Sequence, residues 1–261
     1  TTATAFETIS VILEEGVCTI TLQRADVLNA FDTILTTELA KALKEASRNK
    51  DVRVVVLTGS GRAFSSGQDL ADLKAKYVPG HVPNLGEDLK KRYDPIVKLI
   101  HTMEKPVIAA VNGVAAGAGC SLALACDMRI ASEHASFIEV FVHVGLVPDS
   151  GSTWTLPRLI GFGRAMELCC TGRPVKAEEA LAIGLVNQVV PSDELKEFRH
   201  TLAKKLLKIT DSVNIDNDSK DDFKFHATLA MRDIDKKFDK IWDYLKKYKI
   251  CKRGISYRIT L

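Results

Sequence analysis

Asp149 is the residue whose surroundings point most directly to chemistry. It follows the run Phe141–Pro148 (FVHVGLVP), which is apolar apart from His143, and it precedes Ser150, Gly151 and Ser152. An ionised carboxylate among apolar side chains is costly unless something compensates it. Burial raises its pKa towards the range in which a group takes up and returns protons near neutral pH. Asp before Ser-Gly also suits a helix N-cap, a role in which the carboxylate serves the backbone and no ligand.

Two upstream segments could complete a site around such a group. RAFSSGQDL (Arg62–Leu70) and NGVAAGAGCSL (Asn112–Leu122) each follow an apolar run and are rich in small residues. Small residues let a ligand reach backbone N–H groups. The second segment leads into a helix, and N–H groups at a helix N-terminus stabilise negative charge. One donor from each would form an oxyanion hole for a carbonyl that becomes an enolate. An ordinary strand-to-helix loop and close helix packing account for the same small residues without any ligand. Neither segment is a nucleotide loop: there is no GxxxxGK followed by Ser or Thr, and no GxGxxG after the first strand. No GxSxG elbow is present. His81, His101, His134, His143, His200 and His226 show no metal-ligand spacing. His143 reads as a core or pocket-wall histidine.

These segments sit in a pattern of alternating strands and helices. Ile9–Leu13 and Val17–Leu22 read as a hairpin around Glu14-Glu15-Gly16. Helical spacing runs through Asp32–Ser47, Leu85–Met103, Arg164–Cys170 and Ala177–Ile183, and a helix opens at Cys120–Ala125. Val52–Thr58, Val107–Val111, Met128–Ala131 and Val186–Val190 read as buried strands. The alternation implies right-handed crossovers and a mainly parallel sheet, an α/β architecture. Asp211–Asp222 is polar and linker-like, Phe223–Tyr248 carries a helical apolar stripe, and Ile255–Leu261 alternates like a short strand.

The chain has 261 residues, enough for one large domain or a domain with an appended helical lobe. Its 36 basic and 33 acidic side chains leave a formal charge of +3, too balanced to argue for nucleic acid or an anionic membrane surface. Cys18, Cys120, Cys126, Cys169, Cys170 and Cys251 form no CxxC pair and read as thiols of a reducing compartment. The apolar stretch around Val107–Ala125 is interrupted by Asn112, several glycines and Ser121, so it makes a poor membrane span. The segment TTATAFETIS lacks the pattern of a signal peptide. The expectation is a soluble cytoplasmic protein.

RAFSSGQDL, KPVIAAVNGVAAGAGCSLALACDMRIAS and VGLVPDSGSTWTLPRLIG, in this order, resemble the crotonase superfamily of acyl-CoA hydratases and isomerases. LQRADVLNAF resembles that family's CoA-contacting segment, and the likeness runs from residue 6 to about residue 208. The resemblance implies a crotonase-like ββα spiral over residues 1–200, with a C-terminal helical region, 201–261, that covers the core or serves oligomerisation. It also implies a CoA thioester substrate, no separate cofactor or metal, and a homotrimer or dimer of trimers. By the same resemblance the oxyanion donors fall on the backbone N–H groups of Gln68 and Ala118, with Gly117 beside the second. Arg24, Val27 and Leu28 would line the pantetheine and pyrophosphate path. Ala63, Ser66, Gly67, Asp69 and Leu70 would frame the adenine end, and Phe141 and Trp154 would wall the acyl group.

The departures from that family point to a reaction class. Its hydratases use two glutamates, at the positions held here by Ser121 and Phe141. Hydration needs one group to activate water and another to protonate carbon. Asp149 instead matches the single aspartate of the family's dienoyl-CoA and epoxyphenylacetyl-CoA isomerases, and LVPDSGSTWTLPRL looks most like the latter. An acyl-CoA isomerase follows. The alternatives are a hydratase with a different water-activating group and a non-catalytic acyl-CoA-binding protein. Residues 209–261 match the family pattern poorly.

Overall fold

The computed structural model describes residues 6–76 and 84–212. The hairpin of β1 (Ile9–Glu14) and β2 (Val17–Leu22) leads to α1 (Thr33–Arg48). The next unit is β3 (Val54–Gly59), β4 (Ala63–Ser65) and α2 (Leu70–Lys76). After it come α3 (Leu85–Asp88), a π turn over Leu89–Tyr93 and α4 (Asp94–Thr102). A second unit is β5 (Val107–Val111), β6 (Val114–Ala116) and α5 (Ala118–Ala125). A third starts with β7 (Met128–Ser132) and β8 (Ser136–Ile138), followed by a 3-10 turn over Val140–Val144, α6 (Ser152–Ile160) and α7 (Phe162–Thr171). Then follow β9 (Val175–Lys176), α8 (Ala177–Ala182), β10 (Gln188–Val190) and α9 (Leu195–Ser212).

The first strand of each unit enters one sheet, ordered β1-β2-β3-β5-β7-β10, and the second enters another, ordered β4-β6-β8-β9. Pairing is parallel except between β1 and β2 and between β8 and β9. This is the ββα spiral that the resemblance implies. Strand residues alternate between two cores, as the period of two requires. Val55, Leu57, Val107, Ala109 and Val111 face the cluster that includes α1, α4 and α5. Val54, Val56, Ile108, Ala110 and Ile130 face a second cluster that α9 covers with Leu195, Ala203 and Leu206. Burial on both faces explains why these strands read as unbroken apolar runs.

Asp32 starts α1 by accepting a hydrogen bond from the Leu35 N–H at 2.7 Å. Two helices differ from the spacing-based expectation. The single helix expected over Leu85–Met103 contains a π turn, because Pro95 has no N–H to continue the α-helical ladder. The expected C-terminal helical region starts at residue 201, whereas α9 starts at Leu195, so the 200/201 division falls inside one helix. Residues 213–222, the stripe Phe223–Tyr248 and Ile255–Leu261 lie outside the described residues.

Arg129 fixes the far end of α5. It is buried on β7, and its Nε donates to the Leu185 carbonyl at 2.8 Å, its Nη1 to the Cys126 carbonyl at 2.6 Å and to the Leu124 carbonyl at 3.5 Å. All eight residues of α5 are buried, so water is not available to its last carbonyls. Arg129→Met keeps the bulk and removes the donors. We expect a loss of about 3 kcal/mol, read as a fall in melting temperature of about 6–12 °C. A fall of under about 2 °C in calorimetry would refute this account.

Candidate active site

Two backbone segments meet where α5 begins. Phe31 forms a parallel bridge with Gln68: the Phe31 N–H donates to the Gly67 carbonyl at 2.7 Å, and the Asp69 N–H donates to the Phe31 carbonyl at 3.0 Å. A parallel bridge uses the groups of residues 67 and 69 and turns the N–H of Gln68 the other way. Ala118 is the first residue of α5, after Gly117 at φ +50°, so its N–H has no partner one turn back. Among the described residues neither N–H donates to a protein acceptor. The segments touch at Gly67, where a Cβ would lie 2.6 Å from the Ala116 carbonyl oxygen and 3.2 Å from the Ala118 nitrogen. The segments that carry the two N–H groups therefore touch at the positive end of a buried helix, a contact that an oxyanion hole would need.

A tight turn follows Asp149 and brings its neighbour Ser150 to the same place. Ser150 and Gly151 both lie in the left-handed region, at φ +50° and +86°. Burial pushes the Asp149 carboxyl above its ordinary value, while the Ser150 hydroxyl, donating to Oδ1 at 2.8 Å, works the other way. The N-cap of α6 is Gly151, without any side-chain cap, so the Asp149 carboxylate is not spent on the helix. Ser150 and Ala118 line one small cavity of about 10 Å³ with Phe31, Leu39, Tyr93, Ile96, Val97 and Leu122. That is room for about one water molecule, and it marks the dry inner end of the site.

Tyr93 adds a polar group that the sequence does not announce. Its hydroxyl donates to the Gln68 Oε1 at 2.5 Å, and the Gln68 Nε2 donates to the Asp69 carbonyl at 3.0 Å. Burial, reinforced by the charge of Asp149, pushes the phenol well up, so Tyr93 stays a proton donor in this bond. The Gln68 side chain thus helps to fix the peptide whose N–H faces the hole.

A sequence profile described as "Enoyl-CoA hydratase/isomerase" matches residues 13–241. The chain belongs to that family. It is 43% identical over 194 residues to the 1,2-epoxyphenylacetyl-CoA isomerase of Escherichia coli (strain K12), covering 74% of each chain. It is 42% identical over 204 residues to a probable enoyl-CoA hydratase of Rhodobacter capsulatus, covering 78% of this chain and 77% of the relative. The crystal structure of an enoyl-CoA hydratase from Bacillus anthracis superposes with a TM-score of 0.72 at 37% identity, over 77% of both chains. A monofunctional enoyl-CoA isomerase from M. smegmatis gives 0.64 at 35%, over 77% of this chain and 85% of that one. The crotonase fold expected from the motifs is the fold observed.

The enoyl-CoA hydratase/isomerase framework places the remaining candidate residues unevenly. Phe141 is buried, with a ring carbon 4.0 Å from where a Cβ on Gly117 would stand, so it packs where α5 begins. Ser66 joins the turn of Val27 and Leu28: its N–H donates to the Leu28 carbonyl at 2.9 Å and its hydroxyl to the Val27 carbonyl at 3.4 Å. Val27 and Leu70 are exposed. Ala63 is 1% exposed in β4. Trp154 lies apart from the cavity that Ser150 and Ala118 line. The turn of α6 buries Ser152, Thr155 and Leu156 and leaves Trp154 60% exposed, under the Arg158 guanidinium. It borders a different cleft, with His101, Asp127 and Arg129.

Arg24 is paired within the protein. Its guanidinium lies 2.9 Å from Asp69 and 3.1 Å from Asp32, and it donates to the Ala30 carbonyl at 2.6 Å. It clamps these segments together. Asp69 is likewise engaged: burial opposes its ionisation, but Arg24 and the N–H groups of Asp72 and Ala71 outweigh that and hold its carboxyl below the ordinary value. Breaking the clamp should therefore affect folding and not affinity. For Arg24→Met we expect a loss of about 2 kcal/mol, or about 4–8 °C in melting temperature, with CoA affinity in calorimetry changed less than about twofold. A tenfold or greater loss of CoA affinity would restore Arg24 as a ligand.

Proposed function

We propose that this protein is an acyl-CoA isomerase in which Asp149 alone moves the proton. The observation that carries the reading is that Ser150, next in the chain to Asp149, lines the same cavity as Ala118, while the Asp149 carboxylate is free of any capping duty. By the family resemblance, hydratase glutamates would stand at 121 and 141. Here Ser121 turns its hydroxyl to the Gly117 carbonyl at 3.3 Å, and Phe141 supplies a hydrocarbon wall. Nothing at either position activates water.

In this mechanism the thioester carbonyl lies on the N–H groups of Gln68 and Ala118. Asp149 removes a proton from a carbon conjugated to that carbonyl, and the charge collects on the oxygen held by the two donors. Protonated Asp149 then returns the proton at another atom, so the substrate's composition is unchanged. With an epoxide, the same electron flow opens the ring. Phe31, Tyr93, Val97 and Leu122 suit an aromatic-derived or unsaturated acyl group. The name of the Escherichia coli relative supports 1,2-epoxyphenylacetyl-CoA as the first substrate to test. The chemistry needs no cofactor beyond the CoA of the substrate. Among the described residues no helix is long and apolar enough to cross a membrane, and a cytoplasmic site of action fits this role.

Purified protein presented with a panel of acyl-CoA esters should return products of unchanged mass and altered ultraviolet spectrum. A product heavier by one water would make it a hydratase. Asp149→Asn should fold, bind the ester and lose about 10²–10⁴-fold in kcat, the usual worth of a general base. Retention of full activity would end the assignment.

The exposed apolar side chains of α6, α7 and the segment before them, Val144, Val147, Trp154, Phe162 and Met166, support self-assembly as a trimer or dimer of trimers. Light scattering should give three or six chains per particle. Phe162→Asp, at a side chain 73% exposed, should lower that number, and a monomeric wild type would refute the assembly.

A further inference from the structure

Glu139 is a buried carboxyl that the mechanism above does not use. It follows β8, is 3% exposed, and its Oε1 has no hydrogen-bond partner among the described residues. Its other oxygen, Oε2, accepts from the Ser152 hydroxyl at 3.3 Å, and the Cys120 thiol faces the carboxyl. These two neighbours sit on the two elements of the proposed site. Ser152 opens α6, and its N–H donates to the Asp149 carbonyl at 3.0 Å, closing the turn that carries the base. Cys120 lies in the first turn of α5, two residues after Ala118.

We propose that Glu139 is a positioning residue that works in its protonated state, tying the Asp149 turn to the helix of the Ala118 donor while keeping a second negative charge away from the enolate. This rests on reading the site as an enolate-forming isomerase. The titratable groups facing Glu139 are Cys120 from α5, Cys169 from α7 and Asp149 from the turn before α6, with no cation among them. Burial pushes the Glu139 carboxyl up to about 7, the thiol and hydroxyl donors offset part of this, and the Asp149 carboxylate adds to it by repulsion. Of the two carboxyls, Glu139 is the more buried, so the repulsion falls on it and it keeps its proton while Asp149 ionises. A neutral Glu139 leaves the positive end of α5 to the substrate oxygen. An ionised one would place an anion beside that end and weaken its hold on the enolate.

The test combines Glu139→Gln, Glu139→Ala and Asp149→Asn. Carboxyl 13C resonances of selectively labelled protein read the proton without turnover. In the wild type a glutamate carbon should titrate near pH 7. It should vanish in Glu139→Gln and move to lower pH in Asp149→Asn. The kcat of the wild type should fall as pH rises through that titration, and Glu139→Gln, neutral at every pH, should lack the fall. Glu139→Ala, which loses the bridge, should lower kcat about tenfold at pH values below that titration, with KM within about twofold, and should also lack the fall. Absence of a titration above about pH 6, a Glu139→Gln profile that superimposes on the wild type, or an unaffected Glu139→Ala would each overturn the proposal. Wild type that titrates as expected but turns over no acyl-CoA ester would instead sink the isomerase reading and leave the neutral bridge standing.

Discussion

Backbone pressing on backbone is the contact around which the site is built. The loop after β4 can place its N–H beside that of Ala118 only if no side chain stands between them. Gly67 meets that demand twice, since it has φ +89° and its missing Cβ would strike the Ala116 carbonyl. Gly119 meets it from the other side, because a Cβ there would lie 2.5 Å from the Ser65 carbonyl. The rest of the fold keeps these two glycines in register. β4 and β6 pair in parallel, Phe31 bridges to Gln68, and α5 is anchored at its far end by Arg129. The apolar strands of the larger sheet supply rigidity and no chemistry.

Given that contact, the carboxyls around it are sorted by their neighbours. Asp69 has Arg24 and two N–H donors and is held ionised, so it can only tie segments together. Asp149 has one hydroxyl and little water, which leaves it a base of raised affinity for protons. Glu139 has a hydroxyl, a thiol and Asp149 for company and is the weakest acid of the three. The environment and not the residue type divides structural anchor, base and neutral bridge.

Much of the scaffold was legible because it depends on local pattern. The hairpin at Glu15-Gly16, the amphipathic α1 and the β-branched runs of β3, β5 and β7 follow from periods of two and 3.6. The strands β4, β6 and β8 did not, since three residues carry no period. Tyr93 was visible as part of a helical stripe, but the π turn is what aims its hydroxyl at Gln68, and that slip originates at Pro95. Arg24 looked available because its neutralising partners lie 8 and 45 residues away. Trp154 looked like a pocket wall because its sequence neighbours are, yet one helical step turns it outward. Glu139 carried the same signal as Asp149, a lone acid in an apolar stretch. Its meaning depends on Cys120 and Ser152, which only the fold brings to it.

The turn at Asp149 gives the strongest physical sign that this carboxylate is kept for a ligand. Asp, Ser and Asn are preferred N-caps, and a side-chain cap is worth about 1 kcal/mol. Here Asp149 and Ser150 stand immediately before α6, yet the cap falls to Gly151 and no side chain serves it. Ser150 is also held in the left-handed region, a conformation that costs of order 1–3 kcal/mol for a residue with a Cβ. Part of that is offset locally, since the Trp154 and Thr155 N–H groups both reach the Gly151 carbonyl at 3.0 Å. A chain selected for stability alone would let Asp149 cap the helix and relax Ser150. Two local losses at one turn, beside the cavity that Ser150 and Ala118 line together, are what a turn kept for the proposed chemistry would show.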